Sequence, residues 1–223
     1  MAENGAPGLP VPASHATVVA KRAGLPARRG LDRLPVYVTA EEARAIINAT
    51  RGFRDRLLLE TIWQTGGRIS EVLRLRPADV DPADGTIRLA NLKQRRGAEK
   101  VVYVSLDLAA QLRALARDLR VPLNGYLFQG RNPGRPMTRF QAYRIISAAA
   151  RAAGVLKVHP ESGRVMPAWP HTFRHGAAKH QLEQTLRLDF VQDQLGHASL
   201  ETTKVYLRLA DADRRRLRDQ ISY

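Results

Sequence analysis

A dense apolar stretch from Arg54 to Trp63, ended at once by Gly66-Gly67, limits what this chain can build. Leu57, Leu58, Leu59, Ile62 and Trp63 recur at helical spacing, so the stretch predicts a helix that has to be buried. Two adjacent glycines stop it, because glycine tolerates the sharp backbone turn that leaves a helix. A second helical pattern follows directly through Ile69, Val72, Leu73 and Leu75.

The rest of the chain is organised around that pair. Thr39, followed by Glu41 and Glu42, predicts a helix start with acids in its first turn. Asp84-Gly85 opens a strand over Thr86 to Ala90, and Val101 to Val104 is its partner. The turn between them, Lys93-Gln94-Arg95-Arg96-Gly97, is polar and basic. Helical patterns return at 106–119 and 138–153. A loop spans 154–170, with a small hairpin around Glu161-Ser162-Gly163. Pro170 then suits the first position of a helix running to about Leu186. Shorter helices are expected at 189–195, 199–208 and 210–220. Residues 1–34 are rich in Ala, Gly and Pro and carry Lys21, Arg22, Arg28, Arg29 and Arg33, which predicts a flexible basic arm. The expectation is one mainly α domain over 35–223 with one small antiparallel β-sheet, an α+β fold.

Charge narrows the function. With 36 Lys and Arg against 21 Asp and Glu, the 223-residue chain has a formal charge of +15. Such an excess points to a polyanionic partner, most simply nucleic acid. No run approaches the length of a membrane-spanning helix, and the N-terminus lacks a signal-peptide apolar region. The chain has no cysteine, which excludes a disulfide framework, a thiolate nucleophile and a Cys-based zinc site. These features predict a soluble, cytoplasmic protein.

Four short motifs then stand out, each with an ordinary structural explanation when taken alone. In Thr65-Gly66-Gly67-Arg68-Ile69-Ser70-Glu71, the glycines hold Arg68 at a helix start and Glu71 lies on the same face. The ordinary explanation is a helix connection with a solvated arginine. Lys93 opens the basic hairpin turn, where most lysines are simply solvated. In His171-Thr172-Phe173-Arg174-His175, two imidazoles and a guanidinium share one helical face. That composition suits a phosphate and a proton transfer better than a core. A His-x-x-x-His zinc pair is the alternative, opposed by the arginine between the two. Leu195-Gly196-His197 ends an apolar segment, and Tyr206 follows His197 by nine residues. A phenol with a pKa near 10 becomes a nucleophile only beside cations and a positioned base.

In their joint order and spacing these motifs resemble the tyrosine recombinase (phage integrase) family, over roughly residues 35 to 210. The resemblance implies that family's catalytic-domain fold and a site-specific DNA recombinase. It makes Arg68 and Arg174 the catalytic arginines, His171 and His197 the catalytic histidines, Lys93 the hairpin lysine and Tyr206 the nucleophile. Lys100 on the second strand is a rival for the lysine position. Glu71 and His175 would support the catalytic groups. Arg95, Arg96, Lys100, Lys21, Arg22, Arg28 and Arg29 would contact the DNA backbone. The implied chemistry needs no cofactor, no metal and no ATP. The implied partner is double-stranded DNA carrying a specific site, bound by a homotetramer that spans two such sites.

One departure is visible. Family members commonly carry a helical core-binding domain before the catalytic one, and here only the arm precedes it. In size the chain is more like the short fimbrial-switch invertases of the family. The C-terminal pattern, Leu217 and Ile221 one turn apart with Arg214, Arg215, Arg216 and Arg218 around them, predicts a short helix that needs a surface to pack on; the resemblance implies a neighbouring subunit, and the alternative is docking back on its own domain. Two other functions compete. A type IB topoisomerase would relax DNA with a similar site, and a non-catalytic DNA-binding regulator would use the helices for recognition alone.

Overall fold

The computed structural model describes residues 34–90, 99–132, 134–196, 203–209 and 211. Helix α1 (Ala40–Asn48) starts on a capping box. Thr39 Oγ1 accepts from the Glu42 amide at 3.2 Å, and the Thr39 amide donates to the Glu42 carboxylate at 2.8 Å. Helix α2 (Phe53–Thr65) is the buried apolar helix, with Leu57, Leu58, Leu59 and Ile62 in the core. Gly66 ends it in the left-handed region at φ 56°.

Helix α3 (Ile69–Val72) is shorter than the pattern through Leu75 predicts. After Val72 the chain makes a tighter turn, with the Arg74 amide bonded to the Glu71 carbonyl and the Leu75 amide to the Val72 carbonyl, and Arg76 before Pro77 is extended at φ −114°, ψ 155°. Leu75 remains in the core, its carbonyl accepting from Leu127 N at 2.9 Å.

A turn of 3-10 helix at Pro77–Asp79 leads to β1 (Val80–Asp81), β2 (Thr86–Ala90) and β3 (Glu99–Tyr103), an antiparallel sheet in the order β1-β2-β3. The sequence predicts β2 and β3 but not β1, which is too short for alternation to register. Ile87 faces Val102 and Leu89 faces Lys100, so β3 begins before Val101. Helices α4 (Leu106–Asp118) and α5 (Arg139–Ala152) start on Ser105 and Thr138, whose hydroxyls accept amide protons of the first turn.

The loop predicted for 154–170 carries a second sheet, the hairpin of β4 (Leu156–Val158) and β5 (Val165–Pro167). Lys157 on β4 reaches back to Glu42 at 2.6 Å and ties the hairpin to α1. Two helices follow, α6 (Pro170–Thr185) and α7 (Leu188–Leu195), and a helical segment covers 203–209. The fold is mainly α with two small antiparallel sheets. No helix among the described residues is long and apolar enough to cross a membrane.

The core has two parts. The larger packs α1, α2, α4 and α5 onto the three-stranded sheet and Phe173 of α6. The smaller joins Ala178 and Leu182 of α6 to Val191 and Leu195 of α7, and to Tyr206 and Leu209. Tyr206 is thereby packed against both α6 and α7.

Candidate active site

Helix ends converge on one place. Arg68 caps α3, Arg174 lies in the first half of α6, Lys100 is on β3, and the last turn of α7 completes the surround. Glu71 is at the centre with 1% of its surface exposed. Its Oε1 receives Arg68 Nη1 at 2.7 Å, and its Oε2 receives the Arg68 amide at 3.1 Å. Lys100 Nζ stands 3.7 Å from the same Oε2. The bonds from its side chain and its amide hold Arg68 against Glu71.

Arg174 is 5% exposed. Its Nη1 donates to the Gly66 carbonyl at 2.5 Å and its Nη2 to the Leu195 carbonyl at 3.1 Å. Both acceptors end helices, α2 and α7, where carbonyls lack helical partners and attract cations. Burial, with Arg68 beside it, lowers the Arg174 guanidinium to about 10, so it stays charged at neutral pH. Burial also lowers Lys100, to about 8, against the opposing pull of Glu71.

Tyr206 is 1% exposed, and its hydroxyl lies 3.0 Å from His175 Nδ1. Burial raises the phenol above its ordinary value, while Arg174 and Arg68 pull it down. Burial, with His171 and Arg174 nearby, pushes His175 down to about 4, so the ring is neutral. In its Nε2–H tautomer the ring accepts the phenol proton at Nδ1. His171 sits at the exposed start of α6, its ring 6.4 Å from that of His175. The imidazole bonded to Tyr206 is thus His175, for which the sequence predicts only a supporting part, and not His171.

The structure brings Arg68, Glu71, Arg174, His175 and Tyr206 together with Lys100, the rival for the lysine position. The sequence also suggests Lys100 as a backbone contact, yet its side chain is only 11% exposed and bonds inward. Lys93, Arg95, Arg96, His197, Lys21, Arg22, Arg28 and Arg29 lie outside the described residues, as do the helix predicted for 210–220 and its Leu217 and Ile221. Gln194 carries no signal in the sequence. Its side chain bonds the Tyr103 amide at 3.0 Å and the Tyr103 carbonyl at 3.1 Å, and its own carbonyl receives Lys100 Nζ at 2.7 Å. Nothing in spacing or composition marks a glutamine that pairs with a strand some ninety residues earlier. His175, one member of the zinc alternative, is engaged with Tyr206.

Three cations (Arg68, Lys100, Arg174) surround one carboxylate (Glu71) beside a neutral phenol. The surplus suits an anion with several oxygens, and planar guanidinium forks match phosphate.

Residues 37–213 match the phage integrase family. The chain is 33% identical to tyrosine recombinase XerC of Xanthomonas campestris pv. campestris (strain B100) over 191 residues, covering 84% of this chain and 55% of that protein. The crystal structure of XerA recombinase superposes with a TM-score of 0.68 at 26% identity, over 86% of this chain and 67% of the other. The XerH site-specific recombinase bound to difH substrate, a pre-cleavage complex, gives 0.64 at 25% identity, over 82% of this chain and 55% of the other. The chain therefore spans little more than half the length of the Xanthomonas relative.

Proposed function

Because the chain belongs to the phage integrase family, we propose that it is a tyrosine-type site-specific DNA recombinase, acting through Arg68, Arg174, Tyr206, a lysine and the histidines around them. The observation that carries this reading is the buried phenol of Tyr206 in the field of Arg174 and Arg68, at a site with surplus positive charge. A regulator that only binds DNA has no use for a phenol held there.

In the proposed reaction Tyr206 Oη attacks a DNA phosphorus in line. The P–O5′ bond breaks, a 3′-phosphotyrosyl bond forms, and the departing 5′-oxygen takes up a proton from a lysine, Lys93 by family position. The phenol proton passes to an imidazole. His171 has that part by family position, and His175 is the imidazole within hydrogen-bond distance of Tyr206 Oη, at 3.0 Å. Arg68 and Arg174 offset the negative charge that builds on the non-bridging oxygens, with His197 as a further donor. The phosphodiester energy is kept in the covalent bond, so a second 5′-hydroxyl reseals the strand without ATP. When that hydroxyl comes from another duplex, strands are exchanged.

The partner is double-stranded DNA with a specific recombination site, in a homotetramer on two sites, in the cytoplasm of a prokaryote at its nucleoid. The relatives' names as recombinases and the charge of +15 support this. Residues 1–34 act as a basic arm on the DNA, and residues 35–223 form the catalytic domain. A nicked suicide duplex tests the proposal. A recombinase forms a covalent adduct at one sequence and joins strands from two duplexes. Adducts at many sequences without joining would instead show a topoisomerase, and no adduct would show a regulator.

A further inference from the structure

The carbonyls that end α7 are held by two cations from different elements. Arg174 of α6 takes the Leu195 carbonyl, and Lys100 of β3 takes the Gln194 carbonyl at 2.7 Å. The lysine stem runs directly over Gly196. A Cβ built there would meet Lys100 Cδ at 2.9 Å, and Gly196 is also left-handed at φ +61°. The glycine of Leu195-Gly196-His197 thus makes room for the lysine as well as for the turn. Gln194 fastens the same turn of α7 to the Tyr103 backbone by two further bonds. At its other side the ammonium faces Glu71, the carboxylate that orients Arg68.

Resting on the recombinase reading, we infer that Lys100 is a positioning residue for cleavage. Its buried ammonium ties the last turn of α7, where Leu195-Gly196-His197 begins, to Glu71 and through it to Arg68. The last turn of α7 and the arginine that meets the phosphate are then set as one unit. Lys100 does not touch the reacting atoms in this role, unlike the leaving-group lysine. The groups facing it are Glu71 from α3, Arg68 at the α3 cap, Arg174 from α6 and the Gln194 carbonyl from α7, while β2 places the apolar Leu89 opposite. The ammonium loses its proton near pH 8, so the tie is complete below that pH and weakens above it.

The test uses the full chain and Lys100→Met, which keeps the stem and removes the charge. Without DNA, amide hydrogen exchange at the C-terminal turn of α7 should quicken about tenfold. With a nicked suicide duplex, single-turnover cleavage should fall about a hundredfold, as expected for a misplaced catalytic group, at nearly unchanged DNA affinity. Wild-type cleavage should decline as pH rises through 8. Lys100→Arg, charged throughout, should keep the exchange protection and lose that decline. Unchanged exchange in the Met variant would overturn the inference. So would quickened exchange with the wild-type rate and pH profile intact, the signature of a merely structural contact. A wild-type chain that forms no adduct at all would instead overturn the recombinase reading, and it would do so before any variant is made.

Discussion

At the scale of single residues, the arrangement around Glu71 decides which substitutions are informative. Arg174 holds two helix ends together, so its loss damages folding as well as any chemistry. Arg68 is the cleaner probe, because Glu71 keeps Lys100 as a neighbour when the guanidinium is gone. Arg68→Ala is expected to slow cleavage by a hundredfold or more, about 3 kcal/mol of lost oxyanion stabilisation, with a small change in melting temperature. Single-turnover kinetics and a thermal scan on the same sample check it. If the arginines meet the phosphate charge as proposed, wild-type cleavage should be undiminished by EDTA. His175 gives a pH prediction. Its folded-state value is near 4 against an ordinary 6.5, so the unfolded chain binds the proton more readily. Stability from this group is fully present above 6.5 and is lost as pH falls toward 4, up to about 3 kcal/mol. Urea midpoints for His175→Asn should fall less over that range than those of the wild type. Parallel curves would show that the ring carries no such linkage.

At the scale of elements, Gly176 shows why some of the structure is legible in the sequence and some is not. A glycine in the middle of α6 reads as a weak helix position, yet a Cβ there would stand 2.2 Å from the Val38 carbonyl. The chain entering at 34–38 lies on α6 at that point, with the Val38 amide bonded to the Thr172 carbonyl at 3.1 Å. Gly176→Ala should cost roughly 3 kcal/mol, at the upper end for overpacking, as measured by denaturant unfolding. A loss within about 0.5 kcal/mol, typical of surface changes, would mean the entering segment is not packed there. Local signals mark the helices well: Thr39 with Glu42, Thr138 with Gln141, Pro170 and Gly66 all act within one turn. Arg68 with Glu71 is readable for the same reason, being three residues apart on one cap. The meeting of Lys100 with Gln194, of Arg174 with Gly66 and of His175 with Tyr206 depends on how helices cross, and no short-range pattern encodes it. β1 (Val80–Asp81) escapes because two residues are too few to show an alternation, and the end of α3 at Val72 escapes because the apolar spacing continues through Leu75.

At the scale of the whole molecule, charge and covalent chemistry have to be tested together. The chain's +15 includes five basic residues between Lys21 and Arg33. If the arm follows the DNA backbone, each phosphate it neutralises adds about −0.9 to the slope of log affinity against log salt. Removing residues 1–33 should therefore flatten that slope by about 0.9 for every phosphate the arm touches. An identical slope would make the arm a bystander. The recombinase reading stands on Tyr206 joining DNA through its phenol. Mass spectrometry of the protein–DNA adduct trapped on a nicked suicide duplex, after digestion of both partners, reads this out at the bond itself. The wild type should yield a nucleotide-bearing peptide containing Tyr206, and Tyr206→Phe should still bind the duplex but yield no adduct. An adduct formed by Tyr206→Phe, or one mapped to another residue such as Tyr223, would contradict it.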